Sequence, residues 1–395
     1  MAIRALEPTN FPFFDYKRYS FSLGLEAPEG IWLSGHSASR FAADHGDVVV
    51  TGDIVAQSRV AYEKIAAILA AAGLSLRDVV RTVDYVTVDG IADYPGTAAL
   101  RRDLFGPQPP VTSTVVVKRL LRPTALIEIE VVASRGGSTP IDDGAPVDAL
   151  HRATARRVGD LVYLAAQLPL RPGTAVVAAP GNIAGQMRQI YQNAGQLLRA
   201  AGLGWDNVVK TVEFLTPAGL PRYKETAGVR REFLAPRYPA ATGIIMPRLA
   251  NPEALVQIDF IASRQPLAVI NPGWAHYDKL TYSPAIKAGN LLFFAGHGAI
   301  NPETNASEHP GDIVAQTRYV YSSLMEVLRA AGAGPEAMVK TVEFLTAAAL
   351  PRYRETADVR REFFRQPYPT ATGIVCEQLV RPEMLIEVDA VAVLP

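Results

Sequence analysis

The sequence predicts three tandem α+β domains in one chain of 395 residues. Three observations predict it. The octapeptide Val-Lys-Thr-Val-Glu-Phe-Leu-Thr stands at 209–216 and again, unchanged, at 339–346, with a looser copy, Val80-Arg81-Thr82-Val83-Asp84-Tyr85-Val86-Thr87, upstream. The spacing is about one domain length, well beyond the roughly 20–50 residues of a solenoid repeat. Between the copies, stretches of helical periodicity alternate with short apolar or alternating strands.

Each copy opens on an apolar strand that runs into a turn of small residues: Ile31-Trp32-Leu33-Ser34-Gly35-His36, Leu161 to Ala166-Gln167, and Leu291 to Gly296-His297. A long helix follows. Asp53, Asn182 and Asp312 are its N-cap candidates, and Gly73, Gly202 and Gly332 stand where a left-handed residue would end it. Ile54, Ala61, Ile65, Ile68 and Leu69 share one face at helical spacing, so one side of this helix covers a sheet. The octapeptide strand comes next. A second helix is clearest from Leu220 to Phe233 and from Leu350 to Phe363. A loop with Pro110, Pro239 or Pro369 leads into two more strands. The last alternates as Ile127-Glu128-Ile129-Glu130, Val256-Gln257-Ile258-Asp259 and Ile386-Glu387-Val388-Asp389, which gives one apolar and one polar face. Linkers fall near 136–147 and 264–272, and the domains are 1–137, 145–265 and 270–395.

Composition excludes several classes. Basic and acidic residues balance at 39 each, with no basic stripe for nucleic acid. No apolar run reaches the roughly 18 residues of a membrane span. The start, Met1 to Glu7, lacks the apolar core of a signal peptide. The single cysteine, Cys376, allows no intrachain disulfide and reads as a small buried side chain. The expectation is a cytoplasmic protein with a small-molecule substrate, no nucleic-acid or membrane partner, and further homo-oligomerisation left open. His36 and His45 lack helical metal spacing, so no metal is expected. Phosphate loops, dinucleotide fingerprints and nucleophile elbows are absent from the sequence.

The chain resembles the Rid (reactive intermediate deaminase, YjgF-like) family, three times over. The carriers are the Gly35-His36, Ala166-Gln167 and Gly296-His297 turns and the helix glutamines Gln57, Gln186 and Gln316. The Tyr-Pro pairs at 238–239 and 368–369 and the Ile-Glu-Ile-Glu type last strand complete the set. The resemblance implies a Rid/chorismate-mutase-like domain, a mixed sheet with two helices on one face. It also implies an intramolecular pseudo-trimer, with small-molecule clefts between copies. It implies cofactor-independent hydrolysis of imines or enamines to carbonyl compounds and ammonia.

The departures point to a shifted chemistry. The family's Pro-Ala-Arg-Ser arginine, which grips a carboxylate, is missing from Pro110-Val111-Thr112-Ser113, Pro239-Ala240-Ala241-Thr242 and Pro369-Thr370-Ala371-Thr372. Arg152 is a replacement candidate, because it stands where the third copy has Tyr282 and the first Tyr19. The plain alternative is a solvated arginine. The family's acid on the last strand is kept as Glu128 and Glu387 but is Gln257 in the second copy, and glutamine takes no proton. His36 and His297 hold the family's turn-glutamine position, where an ordinary histidine shuttles protons near neutral pH. Alternation of a strand would equally explain the glutamates, and a backbone hydrogen bond the histidines.

These residues define the expected site: His36, His297, Glu128 and Glu387 for catalysis, and Tyr19, Tyr282, Arg152, Thr112, Ser113, Ala371 and Thr372 for binding. In the expected mechanism a glutamate deprotonates water and a histidine protonates the nitrogen. Backbone N–H groups near 112–114 and 371–373 hold the developing charge. The second copy has lost His, Glu and Tyr together, so one or two working clefts are expected. Charged second-helix residues such as Arg222, Glu225, Arg230, Arg352, Glu355 and Arg360 read as exposed faces and inter-copy salt bridges. The alternatives are a non-catalytic ligand-binding protein and another C–N or C–O hydrolase. A ring-opening amidase of the three-repeat cyanuric-acid type would need paired Ser and Lys in each copy, which the sequence lacks.

Overall fold

The structure is a computed structural model that describes residues 3–42, 46–141 and 148–395. His45 and linker residues 142–147, which include the expected boundary at 145, lie outside the described residues.

Each repeat builds one mixed sheet. In the first repeat the antiparallel strands Gly24–Ala27, Gly30–Ser37 and Ile127–Ala133 lead to Val79–Thr87, which runs parallel to Val111–Val117. The second repeat uses Ala155–Val158, Leu161–Gln167, Val256–Ser263, Val208–Leu215 and Ala240–Ile245 in the same order. The third uses Ala285–Ala288, Leu291–Phe294, Ile386–Val393, Met338–Leu345 and Thr370–Val375. The one parallel pair in each sheet is the pair joined by a crossing helix, as parallel neighbours require. The linkers are not plain loops: Thr139–Pro140 and Leu267–Ile270 each join the following repeat's sheet as an edge strand.

The long helices are Ile54–Ala70, Ile183–Ala200 and Ile313–Ala330, capped by the side chains of Asp53, Asn182 and Asp312. Gly73, Gly202 and Gly332 have φ of 70°, 70° and 77°, the left-handed conformation that stops a helix and that glycine adopts without strain. Ile54, Ala61, Ile65, Ile68 and Leu69 pack on Leu33, Ile129 and Val131 of the sheet. Full burial of each large aliphatic side chain contributes about 1.5–3 kcal/mol. The second helices begin later than expected. Leu220–Glu225 and Ala347–Glu355 are 3₁₀ turns, and the α-helices proper are Thr226–Leu234 and Thr356–Phe363. Pro221 and Pro351 lack an N–H, which favours a tighter opening turn.

The faces turned away from the helices meet one another. Val83, Phe214, Val342 and Phe344 share one apolar cluster, and Trp32, Tyr163 and Phe293 another. The backbone repeats one hydrogen bond at each junction: Ala153 N–H to Pro110 O at 3.1 Å, Ser283 N–H to Pro239 O at 2.9 Å, and Ser22 N–H to Pro369 O at 3.4 Å. The octapeptide cation also crosses each junction. Arg81 pairs with Asp259 at 3.0 Å, Lys210 with Asp389 at 2.6 Å, and Lys340 with Glu130. These six groups line a central cavity of about 50 Å³. Burial of the pairs explains why the octapeptide repeats so closely: a lone charge left there would be strongly destabilising.

The junctions also differ. Arg119–Leu120 pairs with Thr370–Val375, and Gln378–Leu379 with Ala240–Ile245, each preceded by an amide (Lys118, Glu377) that donates across the junction. The second repeat has Pro247 at that place, with no N–H to donate. Among the described residues no such pairing joins it to the first repeat.

Candidate active site

The small-residue turn is a β-bulge rather than a strand end. The register against the last strand slips between Leu33 and His36 and between Leu164 and Gln167, and the pairing then resumes. The bulge opens a gap over Gly35 and Gly296, and the facing glutamate fills it. A Cβ on Gly35 would collide with the Glu128 carboxylate and with Thr372 of the third repeat, and one on Gly296 with Glu387 and Thr242 of the second. Each glutamate therefore lies at a junction between repeats. The buried helix glutamines hold the approach to that strand: Gln316 Oε1 accepts from Leu385 N–H at 2.7 Å while its amide donates to Glu383 O at 3.0 Å. Gln57 and Gln186 do the same for Leu126 and Leu255.

The junction between second and third repeats holds a cavity of about 610 Å³. Glu387 and His297 lie in its lining, with Trp274, Tyr277 and Tyr282 as an aromatic wall. Trp274 and Tyr277 stack at 5.9 Å between ring centroids, and Tyr282 meets Tyr277 edge-on at 5.5 Å. Burial pushes the Glu387 carboxyl up to about 8, with Asp389 adding to the rise and Lys210 opposing it. The same burial brings His297 down to about 4, and its Nε2 lies 3.4 Å from the Pro284 carbonyl oxygen. At neutral pH this cavity thus presents a protonated carboxyl and an uncharged imidazole. That reverses the expected roles, in which the glutamate is the base and the histidine a protonated acid. Ala241 Cβ lines the cavity where the family's arginine would project.

The junction between third and first repeats keeps Glu128 and His36 in a different setting. Lys64, on the buried face of the first long helix, stands where the third repeat has Ser323. It is fully buried, donating to Ser37 O at 2.7 Å and Ser39 Oγ at 2.9 Å, with its ammonium 5.0 Å from the Phe14 ring centre. Burial lowers Lys64 to about 7, while burial raises Glu128 to about 8 against the pull of Lys64. Burial and the nearby Lys64 bring His36 down to about 3, and its Nε2 has no partner among the described residues. His36 is therefore not a proton shuttle near pH 7. Tyr19 is exposed and meets Phe14 edge-on and Phe21 at a tilt. The matching hydrogen bonds of Ser22 and Ser283 make Phe21, not Tyr19, the counterpart of Tyr282.

The junction between first and second repeats collects the other expected binding residues, already engaged. Arg152 donates to Asp148 at 2.6 Å and to Thr114 Oγ1 at 2.9 Å. Thr112 shares hydrogen bonds with Thr82 and Arg101, and Ser113 donates to Asp259. Gln257 donates across the junction to Thr114 O at 3.0 Å, and Ala166 has a methyl where the other repeats have glycine. Two more expectations change. The Ala371 amide donates to Ser34 Oγ at 2.9 Å and so is not free to hold an oxyanion, while Thr372 Oγ1 donates to Glu130 at 3.0 Å. Arg230 and Arg360 are buried partners of Glu213 and Glu343 within their own repeats. Arg222–Glu225 and Arg352–Glu355 are exposed pairs, as expected. Trp274, Tyr277 and Lys64 escaped the sequence reading, although Lys64 carries a visible signal, a charge between Ala61 and Ile65 on an apolar helix face.

Comparisons with known proteins agree with this architecture. A family model described as Endoribonuclease L-PSP matches residues 16–135, 145–264 and 277–394. RutC family protein PH0854 of Pyrococcus horikoshii is 34% identical over 111 residues, covering 28% of this chain and 85% of that protein. RutC family protein slr0709 of Synechocystis is 34% identical over 116 residues, covering 29% and 86%. Among solved structures, a chorismatase is similar with a TM-score of 0.51 at 14% identity, covering 80% of this chain and 93% of that one, a likeness of fold. Rv2704 of Mycobacterium tuberculosis, from the YjgF/YER057c/UK114 family, matches at 26% identity over 33% of this chain and 100% of its own, with a TM-score of 0.28. Matched by one family model in each of its three repeats, the chain belongs to the Rid (YjgF-like) family as three fused copies.

Proposed function

We propose that the chain is a cofactor-independent hydrolase of imines or enamines, folded as an intramolecular pseudo-trimer with one working cleft, between the second and third repeats. The single observation that carries this reading is Glu387: a carboxyl protonated at neutral pH, in a cavity large enough for a substrate. It gives its proton to the imine nitrogen, or to the enamine carbon, making an iminium ion. The resulting carboxylate takes a proton from water as the water oxygen bonds to the iminium carbon. Glu387 then returns that proton to the nitrogen. Ammonia leaves as the new hydroxyl passes its own proton to the Glu387 carboxylate and becomes the carbonyl, which restores the acid form. Water and imine are consumed, and ketone and ammonia appear, one for one. General acid–base catalysis of this kind contributes about 10²–10⁴-fold.

Lys64 supports counting one cleft rather than two. Its ammonium, held on Ser37 and Ser39 of its own repeat, acts on the Glu128 carboxyl, whereas Ser323 at the same position brings no charge to the cavity that Glu387 lines. The test uses 2-imino-3-phenylpropanoate, formed in situ from phenylalanine by an amino-acid oxidase, with keto-acid release followed against the uncatalysed rate. Glu387→Gln is expected to abolish acceleration and Glu128→Gln to keep it. Equal rates in wild type and Glu387→Gln would sink the proposal. A second reading, binding without turnover, draws on the absence of arginine at Thr112, Ala241 and Ala371.

A further inference from the structure

Three features of the cavity between the second and third repeats identify what it is built to hold, and they rest on the reading of that cavity as the active cleft. The first is charge. Lys224, Arg231, Lys279 and Arg381 line it, and Glu387, itself protonated near neutral pH, lies at its buried end. Lys224, Arg231 and Lys279 are exposed and form no ion pair among the described residues. Arg381 is held in place by Asn305, donating to its carbonyl at 2.7 Å and its Oδ1 at 2.6 Å. That grip leaves the Arg381 Nε hydrogen unused. The second feature is the stacked wall of Trp274 and Tyr277, flat surfaces that suit an unsaturated ring. The third is size: about 610 Å³ lies in the range of sites that enclose ring-bearing ligands, far more than a three- or four-carbon imine fills.

We propose that this cleft takes an anionic substrate with a flat unsaturated ring, the ring against Trp274 and Tyr277 and the anion on Arg381 and Lys224. The anion is therefore gripped from the rim. Ala241, where an arginine could reach it from the strand, offers only a methyl group. Arg381 and Lys224 set specificity, and Trp274 sets the preference for a ring.

Isothermal titration calorimetry on the full chain tests this with four probes: benzoate, phenyl phosphate, butyrate and benzamide. Benzoate or phenyl phosphate is expected to bind at one site per chain, and the tighter of the two names the anion. Butyrate, lacking the ring, and benzamide, lacking the charge, are expected to bind at least about tenfold more weakly, the loss of one good contact. The double variant Arg381→Ala/Lys224→Ala is expected to weaken the anions by at least about tenfold and to leave benzamide unchanged. Added salt is expected to weaken the anions alone. Benzamide binding as tightly as benzoate, butyrate doing so, or no saturable binding of either ring anion overturns the inference. Binding and catalysis separate in Glu387→Gln, which is expected to keep benzoate binding while losing turnover. Ring-anion binding without turnover of any imine overturns the hydrolase reading alone. Efficient turnover of an uncharged aliphatic imine overturns this inference alone.

Discussion

Glu387 fills the space into which any side chain on Gly296 would project, so the strand acid and the bulge glycine are one structural unit. The backbone at Gly296 is not left-handed, so the glycine is needed for room and not for conformation. Gly296→Ala is expected to push the carboxyl out of place. Overpacking of this kind costs about 1–3 kcal/mol, and misplacing a general acid costs about 10²–10⁴-fold in rate. Gly35→Ala meets the same obstacle at Glu128 and is expected to cost similar stability with turnover kept. Urea unfolding and initial rates on both variants check this. Loss of rate in Gly35→Ala would show that both clefts work.

The second repeat already carries this pair of changes. Ala166 and Gln257 replace glycine and glutamate together, and the sequence alone marked that copy as degenerate. Other parts were equally legible. Capping residues, helix glycines and strand alternation depend on near neighbours, so the elements could be read in order. What lay across the repeats could not. Glu130, Asp259 and Asp389 looked like the outer face of an alternating strand, yet each is buried against a cation more than a hundred residues away. The difference between the two glutamate clefts rests on Lys64 and Ser323, single positions on a helix face whose partners only the tertiary fold supplies. Protonation was misread for the same reason: ordinary pKa values assign glutamate as base and histidine as acid, and burial inverts both.

The two buried glutamates should therefore contribute a loss of stability as pH rises over a defined window. Glu387 ionises at about 8 when folded against an ordinary 4.5. Between those values the folded protein holds a proton that the unfolded chain has lost, so the Glu387 contribution to stability falls as pH rises from about 4.5 and levels off above about 8. The slope is at most about 1.4 kcal/mol per pH unit for one group. Glu128 adds a fall in the same window. The stability difference between wild type and Glu128→Gln/Glu387→Gln, measured by urea unfolding from pH 5 to 8, is expected to shrink or turn against wild type as pH rises, because the opposing contributions of His36, His297 and Lys64 are common to both. Turnover is expected to drop above pH 8 as the acid form disappears. A rate that climbs through pH 8 would mean that the carboxylate starts the reaction.

The junction ion pairs should behave as buried pairs. Lys210 donates to Thr242 Oγ1 at 2.7 Å as well as pairing with Asp389, and Thr242 Oγ1 also donates to Asp389. Lys210→Met leaves Asp389 buried without its cation, at an expected cost of about 3–5 kcal/mol. Lys210→Met/Asp389→Leu removes both charges and is expected to recover most of that loss. Urea midpoints on the single and double variants measure the difference. A double variant no better than Lys210→Met would mean that packing, not charge, holds this junction.

Lys64 gives the opposite pH signature to the glutamates. Burial lowers its ammonium to about 7 when folded, against an ordinary 10.5. Between those values the unfolded chain binds a proton that the folded protein lacks, so Lys64 makes stability rise with pH from about 7 to about 10.5. Lys64→Met keeps the length of the chain but cannot ionise, and it is expected to abolish that rise. It also gives up the hydrogen bonds to Ser37 O and Ser39 Oγ, at about 1 kcal/mol each. Turnover is expected to persist, because the methionine still fills the space beside Glu128. Stability measured between pH 7 and 10.5 decides it: an undiminished rise in Lys64→Met would mean that the amine ionises normally in the folded state and that the first repeat's cleft is open to water.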